Sequence, residues 1–186
     1  TMGHWGYSHL EMVSYIRYVS IDRPAGVPMW IVLQTHNFQT QLRQPEPEEV
    51  RCMHWLALAE NATGYFWFIY SEVGSNSWTG LKNQSANYAE VSSLAGRLKA
   101  NGNELRDILV DCQRVPDLVD VSGPTVPDYI QPHATTLMKT DGSEYYSVVV
   151  NHDCESSRTL TVDSAHFVQA TDVETDITYN LPFSLS

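Results

Sequence analysis

The chain of 186 residues carries 22 acidic and 11 basic side chains, which gives a formal charge of −11. Nucleic acid and anionic membrane surfaces would repel such a protein, so the charge argues against both as partners and favours a neutral ligand. The length allows one domain or two small ones. The three cysteines lack the paired spacing of a zinc site, and no phosphate loop or dinucleotide fingerprint is present, so we expect no metal and no cofactor.

Helix and strand patterns alternate over the first part of the chain. The predicted elements are a helix over 9–18, a strand over 28–33, a helix over 45–60, a strand over 64–70, and helices over 85–100 and 104–110. The start of the second helix is the clearest. A proline loses no hydrogen bond at the first helical position, and the acidic residues of 45–49 favour the positive end of the helix dipole.

The two predicted strands, 28–33 and 64–70, are apolar at every position rather than at alternate positions. Continuous apolar strands are typical of parallel sheets that helices cover on both faces. A helix between two such strands predicts a right-handed crossover, which makes the strands parallel and adjacent. Ligands of these sheets bind beyond the carboxyl ends of the strands. The first candidate site residues are therefore Gln34, His36, Asn37 and Glu72.

Beyond residue 112 the pattern changes to short segments rich in valine, threonine and tyrosine. Strands are predicted over 145–150, 158–162 and 165–170, with turn-forming residues between them. We expect residues 113–186 to form a small antiparallel β-sandwich, separate from an N-terminal domain over 1–112.

Two parallel strands do not make a complete sheet. Their uncovered faces and edges would expose side chains that parallel sheets almost always bury: Trp30, Phe66, Trp67 and Phe68. The sequence therefore predicts that further strands come from a second polypeptide or from a missing N-terminal segment.

Three segments carry a resemblance to a known family. They are the strand Val27–Gln34, the proline-led helix containing Leu56-Ala57-Leu58-Ala59, and the aromatic strand Gly64–Phe68. In this order they resemble the last two strand and helix units of bacterial glycoside hydrolase (β/α)8 barrels, in which a β-sandwich follows the barrel. The resemblance implies an α/β partial TIM barrel plus an all-β C-terminal sandwich, a carbohydrate partner, and an extracellular or periplasmic location.

One position departs from the family. In the large clan of retaining glycosidases the seventh strand ends in a glutamate nucleophile, whereas Gln34 stands at the matching position, and an amide cannot act as that nucleophile. Glycoside hydrolysis normally needs two carboxyl groups about 5 to 9.5 Å apart. Only Glu72 lies at a strand end here. It is the candidate catalytic residue, and a second carboxylate is expected on strands that this chain lacks.

The other candidates are predicted to bind the sugar. The side chains of Gln34, His36 and Asn37 have the donors and acceptors that sugar hydroxyls need, although a loop-fixing amide and a solvated imidazole are alternative interpretations. The indole of Trp78 suits either stacking on a sugar ring or packing onto the sheet. Tyr70, at the end of the second strand, is a further candidate for binding the sugar, and its position there is ambiguous.

Two functional hypotheses follow. The first is the C-terminal segment of a carbohydrate-active glycoside hydrolase, which contributes the last barrel strands and part of the sugar-binding mouth. The second is a non-catalytic carbohydrate-binding or interaction module, which binds glycans without turnover. A third hypothesis is that the chain is an isolated gene fragment with no function of its own.

Overall fold

The computed structural model describes residues 12, 14–16, 18–19, 23–24, 27–38, 43–71, 78–99, 104–124, 132–151, 157–173 and 175–185. Within these residues lie three bounded helices, α1 (Pro47–Ala59), α2 (Ser85–Lys99) and α3 (Glu104–Asp111). Helical backbone also occurs at residues 14–16 and 18–19, inside and just beyond the first predicted helix. The predicted helices at 45–60, 85–100 and 104–110 are confirmed.

The strands of the described residues are short and form five small sheets. In chain order they are β1 (Trp30–Gln34), β2 (Asn37–Phe38), β3 (Gly64–Phe68), β4 (Trp78–Thr79), β5 (Cys112–Arg114), β6 (Asp120–Ser122), β7 (His133–Lys139), β8 (Tyr145–Val150), β9 (Leu160–Asp163), β10 (Gln169–Thr171), β11 (Thr178–Asn180) and β12 (Phe183–Leu185). The pairs β1–β3, β2–β4 and β10–β11 make two-stranded sheets, and β5–β7–β8 and β12–β9–β6 make three-stranded ones.

The predicted α/β partial TIM barrel is wrong. The described residues form a mostly-β protein with three helices, and the pairings in four of its five sheets are antiparallel. The predicted parallel pairing of β1 with β3 is confirmed, with Trp30 opposite Gly64 and Gln34 opposite Phe68. The barrel is the expected fold for strands that are apolar on both faces, but among the described residues helices cover only one face of this pair.

The predicted all-β sandwich is also corrected. The C-terminal strands are antiparallel, but they divide among three small sheets, and the sheet β5–β7–β8 packs on helix α1. Leu137 of β7 clusters with Leu58, and Val150 of β8 clusters with Leu56. The buried side of α1 thus supplies the apolar layer that a second sheet was expected to supply. The strand predicted over 165–170 is limited to the three residues of β10.

Helix α1 is the centre of the core because it contributes to all three hydrophobic clusters. Met53 and Ala57 cluster with Leu33 of β1, while Cys52 and Leu56 cluster with Val150 of β8. The helix begins as its sequence predicts. Glu46 and Glu49 form a capping box, and Pro47 lies in the first turn, where its missing N–H breaks no bond.

The core clusters include residues from both sides of the predicted domain boundary at 112/113. Leu58 and Ile108 share a cluster with Leu137, and Cys52 shares one with Val150. The division into domains 1–112 and 113–186 stays a prediction, and cooperative unfolding is the property that tests it.

Candidate functional site

The carboxyl ends of β1 and β3 lie side by side, so the segments that follow them meet. The backbone N–H of Thr35 donates to the carbonyl oxygen of Phe68 over 2.8 Å. The ring atom Nδ1 of His36 lies 2.8 Å from the same oxygen. Because a carbonyl oxygen can only accept, Nδ1 carries the proton, which leaves Nε2 as the acceptor of the neutral imidazole.

Three aromatic rings gather at this point, and we name His36, Phe68 and Trp78 the strand-end cluster. The ring centroid of His36 lies 4.8 Å from that of Trp78 and 5.2 Å from that of Phe68. The rings of Phe68 and Trp78 meet edge to face, with centroids 5.8 Å apart. His36 is buried, whereas Phe68 is 41% exposed and Trp78 is half-buried. Phe68 and Trp78 therefore present ring surface, and His36 lies behind them.

The short sheet β2–β4 holds Trp78 in place. Asn37 lies opposite Thr79, and its Oδ1 accepts the Thr79 N–H over 2.8 Å. Gly80 follows directly, where a Cβ atom would lie 2.7 Å from the carbonyl oxygen of Ile69 and 2.8 Å from that of Tyr70. Only glycine lets the chain pass this close to the end of β3.

The side chain of Gln34 forms hydrogen bonds with the loop that follows β1. Its Nε2 donates to the carbonyl oxygen of His36 over 2.8 Å and to that of Arg43 over 3.1 Å. These bonds agree with the loop-fixing interpretation, because they use both N–H groups of the amide. A role for Gln34 in binding sugar stays a prediction.

The remaining predicted residues lie apart from the ring cluster or outside the described chain. Tyr70 is 57% exposed, and its ring centroid lies 6.5 Å from that of Tyr88 on α2, which is itself 50% exposed. Glu72 falls outside the described residues, so its catalytic role stays a prediction. The structure thus brings together Gln34, His36, Asn37 and Trp78.

The sequence interpretation missed the role of Phe68 at this site. It was assigned with Phe66 to the core or the faces of the sheet, yet its ring joins His36 to Trp78. The place of Phe68 at the end of its strand could have indicated this role, because the last residue of a parallel strand lies at the edge of the sheet where ligands bind. Side chains alternate along a strand, so Phe68 also shares the face of Phe66.

A second aromatic group lies in the core, centred on His54 of α1. This side chain is 2% exposed, and its ring centroid lies 4.9 Å from that of Tyr65 and 6.4 Å from that of Trp67. In the described structure, neither His54 Nδ1 nor the Tyr65 hydroxyl has a hydrogen-bond partner. Burial raises the pKa of Tyr65. The pKa of His54 is lowered from 6.5 to about 4, mainly by burial and also by repulsion from Arg97, while the nearby carboxylate of Glu90 opposes the shift.

Acid is expected to destabilise the protein through His54. Its pKa is 6.5 in the unfolded chain and about 4 in the fold, so the unfolded chain takes up the proton first. The stabilisation that neutral His54 provides is complete well above pH 6.5 and is lost as the pH falls towards about 4. At pH 5 the loss in the free energy of unfolding is about 2 kcal/mol. Urea unfolding at pH 7 and pH 5 measures the loss, which His54→Leu should largely remove. An equal loss in the wild type and His54→Leu would assign the acid sensitivity to other groups, and the exposed His166→Ala is the control.

The described residues contain no group of three or more histidine, cysteine, aspartate or glutamate side chains placed to hold a metal ion. Among the helices that the structure describes, none combines the length and the apolar composition of a membrane span. No protein-family model, curated protein or solved structure matches the chain.

Proposed function

We propose that this chain is a non-catalytic carbohydrate-binding module, and that its strand-end cluster stacks against a neutral saccharide. The observation that carries the proposal is the contact of Phe68 and Trp78 beside the ends of β1 and β3. Their ring planes meet at 82°, so the two rings present differently oriented apolar surfaces to one ligand. The C–H groups of a sugar ring are apolar enough to pack against such surfaces.

Polar groups around the rings support a ligand rich in hydroxyl groups. His36 is only 7% exposed, but its Nε2 is a potential acceptor beside the rings, because Nδ1 already donates to the carbonyl oxygen of Phe68. The amide of Asn37 uses its oxygen for the Thr79 N–H, which leaves its nitrogen as a potential donor. The formal charge of −11 favours a neutral saccharide over an acidic one.

Binding without turnover is proposed because of the chemistry of the cluster. Its rings and the neighbouring Gln34 and Asn37 supply aromatic surface, an imidazole and amides, whereas glycoside hydrolysis normally uses a pair of carboxyl groups. Release of reducing sugar from a bound glycan would contradict this part of the proposal. Loss of that release in Glu72→Gln would then return Glu72 to a catalytic role.

Replacing Trp78 by alanine is expected to weaken saccharide binding at least about tenfold, because the sugar loses one of its stacking surfaces. Isothermal titration with neutral oligosaccharides of glucose, xylose and mannose measures the effect, and an acidic oligosaccharide of galacturonate should bind more weakly than these. Tyr145→Ala is a matched control, since Tyr145 is a 45% exposed aromatic residue of β8 outside the cluster. Equal weakening by the two substitutions, or no binding of any neutral sugar by the wild type, would refute the proposed site.

A further inference from the structure

One face of the β1–β3 pair is apolar and exposed. We name Trp30, Val32, Phe66 and Phe68 the open face, since they occupy alternate positions of the two strands. Their exposed fractions are 59% for Trp30, 63% for Val32, 55% for Phe66 and 41% for Phe68. The rings of Trp30 and Phe66 contact each other, with centroids 5.0 Å apart. Contiguous apolar surface of this kind is typical of an interaction site.

The other face of the same strands is packed. Leu33 is buried in a cluster with Met53 and Ala57 of α1, and Ile31 and Trp67 pack against that cluster. Both faces of the pair are thus apolar, but the part of the chain that the structure describes covers only one of them. Parallel strands are almost always covered on both faces, because the uncovered apolar surface would otherwise stay in contact with water.

The edges of the pair carry backbone groups suited to strand addition. Within the residues that the structure describes, β1 and β3 pair only with each other. The outer edge of such a strand presents a row of N–H and C=O groups to an incoming strand. An added strand would form main-chain hydrogen bonds there, and its side chains would extend the open face.

We propose that the open face and the adjoining edge of β1 or β3 bind a second polypeptide that adds an apolar, non-acidic β-strand. This partner is distinct from the saccharide proposed above. The charge selects the kind of partner. A second copy of this chain would also carry a charge of −11 and would be repelled, whereas a neutral or basic polypeptide would not. The open face itself is formed by uncharged side chains, so an apolar strand covers it without burying a charge.

The test uses the full chain and two acetylated octapeptides, one alternating valine with lysine and one alternating valine with glutamate. The lysine peptide is expected to bind and to slow amide hydrogen exchange in Trp30–Gln34 or Gly64–Phe68. The glutamate peptide is expected to bind at least about tenfold more weakly, because of the acidic charge of the chain. The double variant Val32→Ser with Phe66→Ser is expected to bind the lysine peptide at least about tenfold more weakly than the wild type does. Both side chains are more than half exposed, so this variant should fold.

A matched double variant, Val168→Ser with Tyr145→Ser, removes exposed apolar side chains of the C-terminal region and should bind the lysine peptide like the wild type. The proposal is overturned if neither strand gains protection, if the two double variants lose affinity equally, or if the glutamate peptide binds as well as the lysine peptide. A dimer of the wild type in light scattering that the open-face variant abolishes would identify a second copy as the occupant and would also overturn it. Trp78→Ala should retain peptide binding, which separates this test from that of the saccharide site.

Discussion

Replacing Leu137 by alanine is expected to lower the free energy of unfolding by about 3 to 5 kcal/mol, because a fully buried leucine loses its packing and leaves a cavity. Leu137 is 0% exposed in β7, and it packs with Leu58 of α1 and with Leu105 and Ile108 of α3. Its side chain therefore joins the C-terminal sheet to the helices. All five tryptophans of the chain precede residue 113, and Trp55 packs against this cluster.

Tryptophan fluorescence during urea unfolding measures the effect of Leu137→Ala. A single transition at lower urea is expected, although the substitution lies beyond the predicted domain boundary and the reporter groups precede it. Val168→Ala is the control, since an 81% exposed valine should change stability by no more than about 0.5 kcal/mol. An unchanged fluorescence transition, with a separate loss of β structure in circular dichroism, would instead support independent domains over 1–112 and 113–186.

The second large effect is expected at the ion pair of Glu60 with Arg114. Arg114 Nη1 lies 2.7 Å from Glu60 Oε2, and the exposed fractions of the two side chains are 28% and 0%. The pair joins the C-cap of α1 to β5. Replacing Arg114 by methionine leaves the Glu60 carboxylate buried without the guanidinium. We expect a loss of about 3 kcal/mol, at the lower end for buried pairs because Arg114 is partly exposed.

A more exposed pair gives the control. Arg51 Nη2 lies 2.8 Å from Glu90 Oε2, and the exposed fractions of the two side chains are 49% and 13%. Arg51→Met should cost only about 0.5 to 1 kcal/mol, because water reaches this pair and screens its charges. Adding Glu60→Gln to Arg114→Met removes the buried charge and should recover part of the loss. If Arg114→Met costs no more than Arg51→Met in chemical denaturation, the burial of Glu60 does not add to the stability that Arg114 provides.

Local elements could be predicted where local signals agree. The proline and acidic residues at 45–49 predict the start of α1, and the structure has a capping box there. The apolar runs predict β1 and β3, and the intervening helix predicts their parallel pairing. The same runs led to the wrong fold class, because apolar periodicity shows which surfaces should be buried but not whether anything covers them. In the structure, Val32 and Phe66 lie on a face that the described residues leave exposed.

The candidate site was predicted in part. The polar residues beyond β1 lie where the strand end places them, and His36 and Trp78 are in contact across 42 residues of sequence. The bonds of Gln34 to two loop carbonyl groups and the place of Phe68 between two rings could not be predicted. Both depend on how the loops after β1 and β3 fold over each other. Local propensity does not specify such contacts between distant segments.

The sequence by itself determined the acidic charge, the helices and the parallel strand pair, because these follow from composition, from periodicity and from the short chain between the strands. Only the tertiary structure decided that the C-terminal sheet packs on α1 and that one face of the parallel pair is open. The physical reason is that hydrophobic burial is non-directional, so an apolar surface specifies that it needs a cover but not which element supplies it. For α1 the C-terminal sheet supplies that cover, and for the open face we propose a second polypeptide.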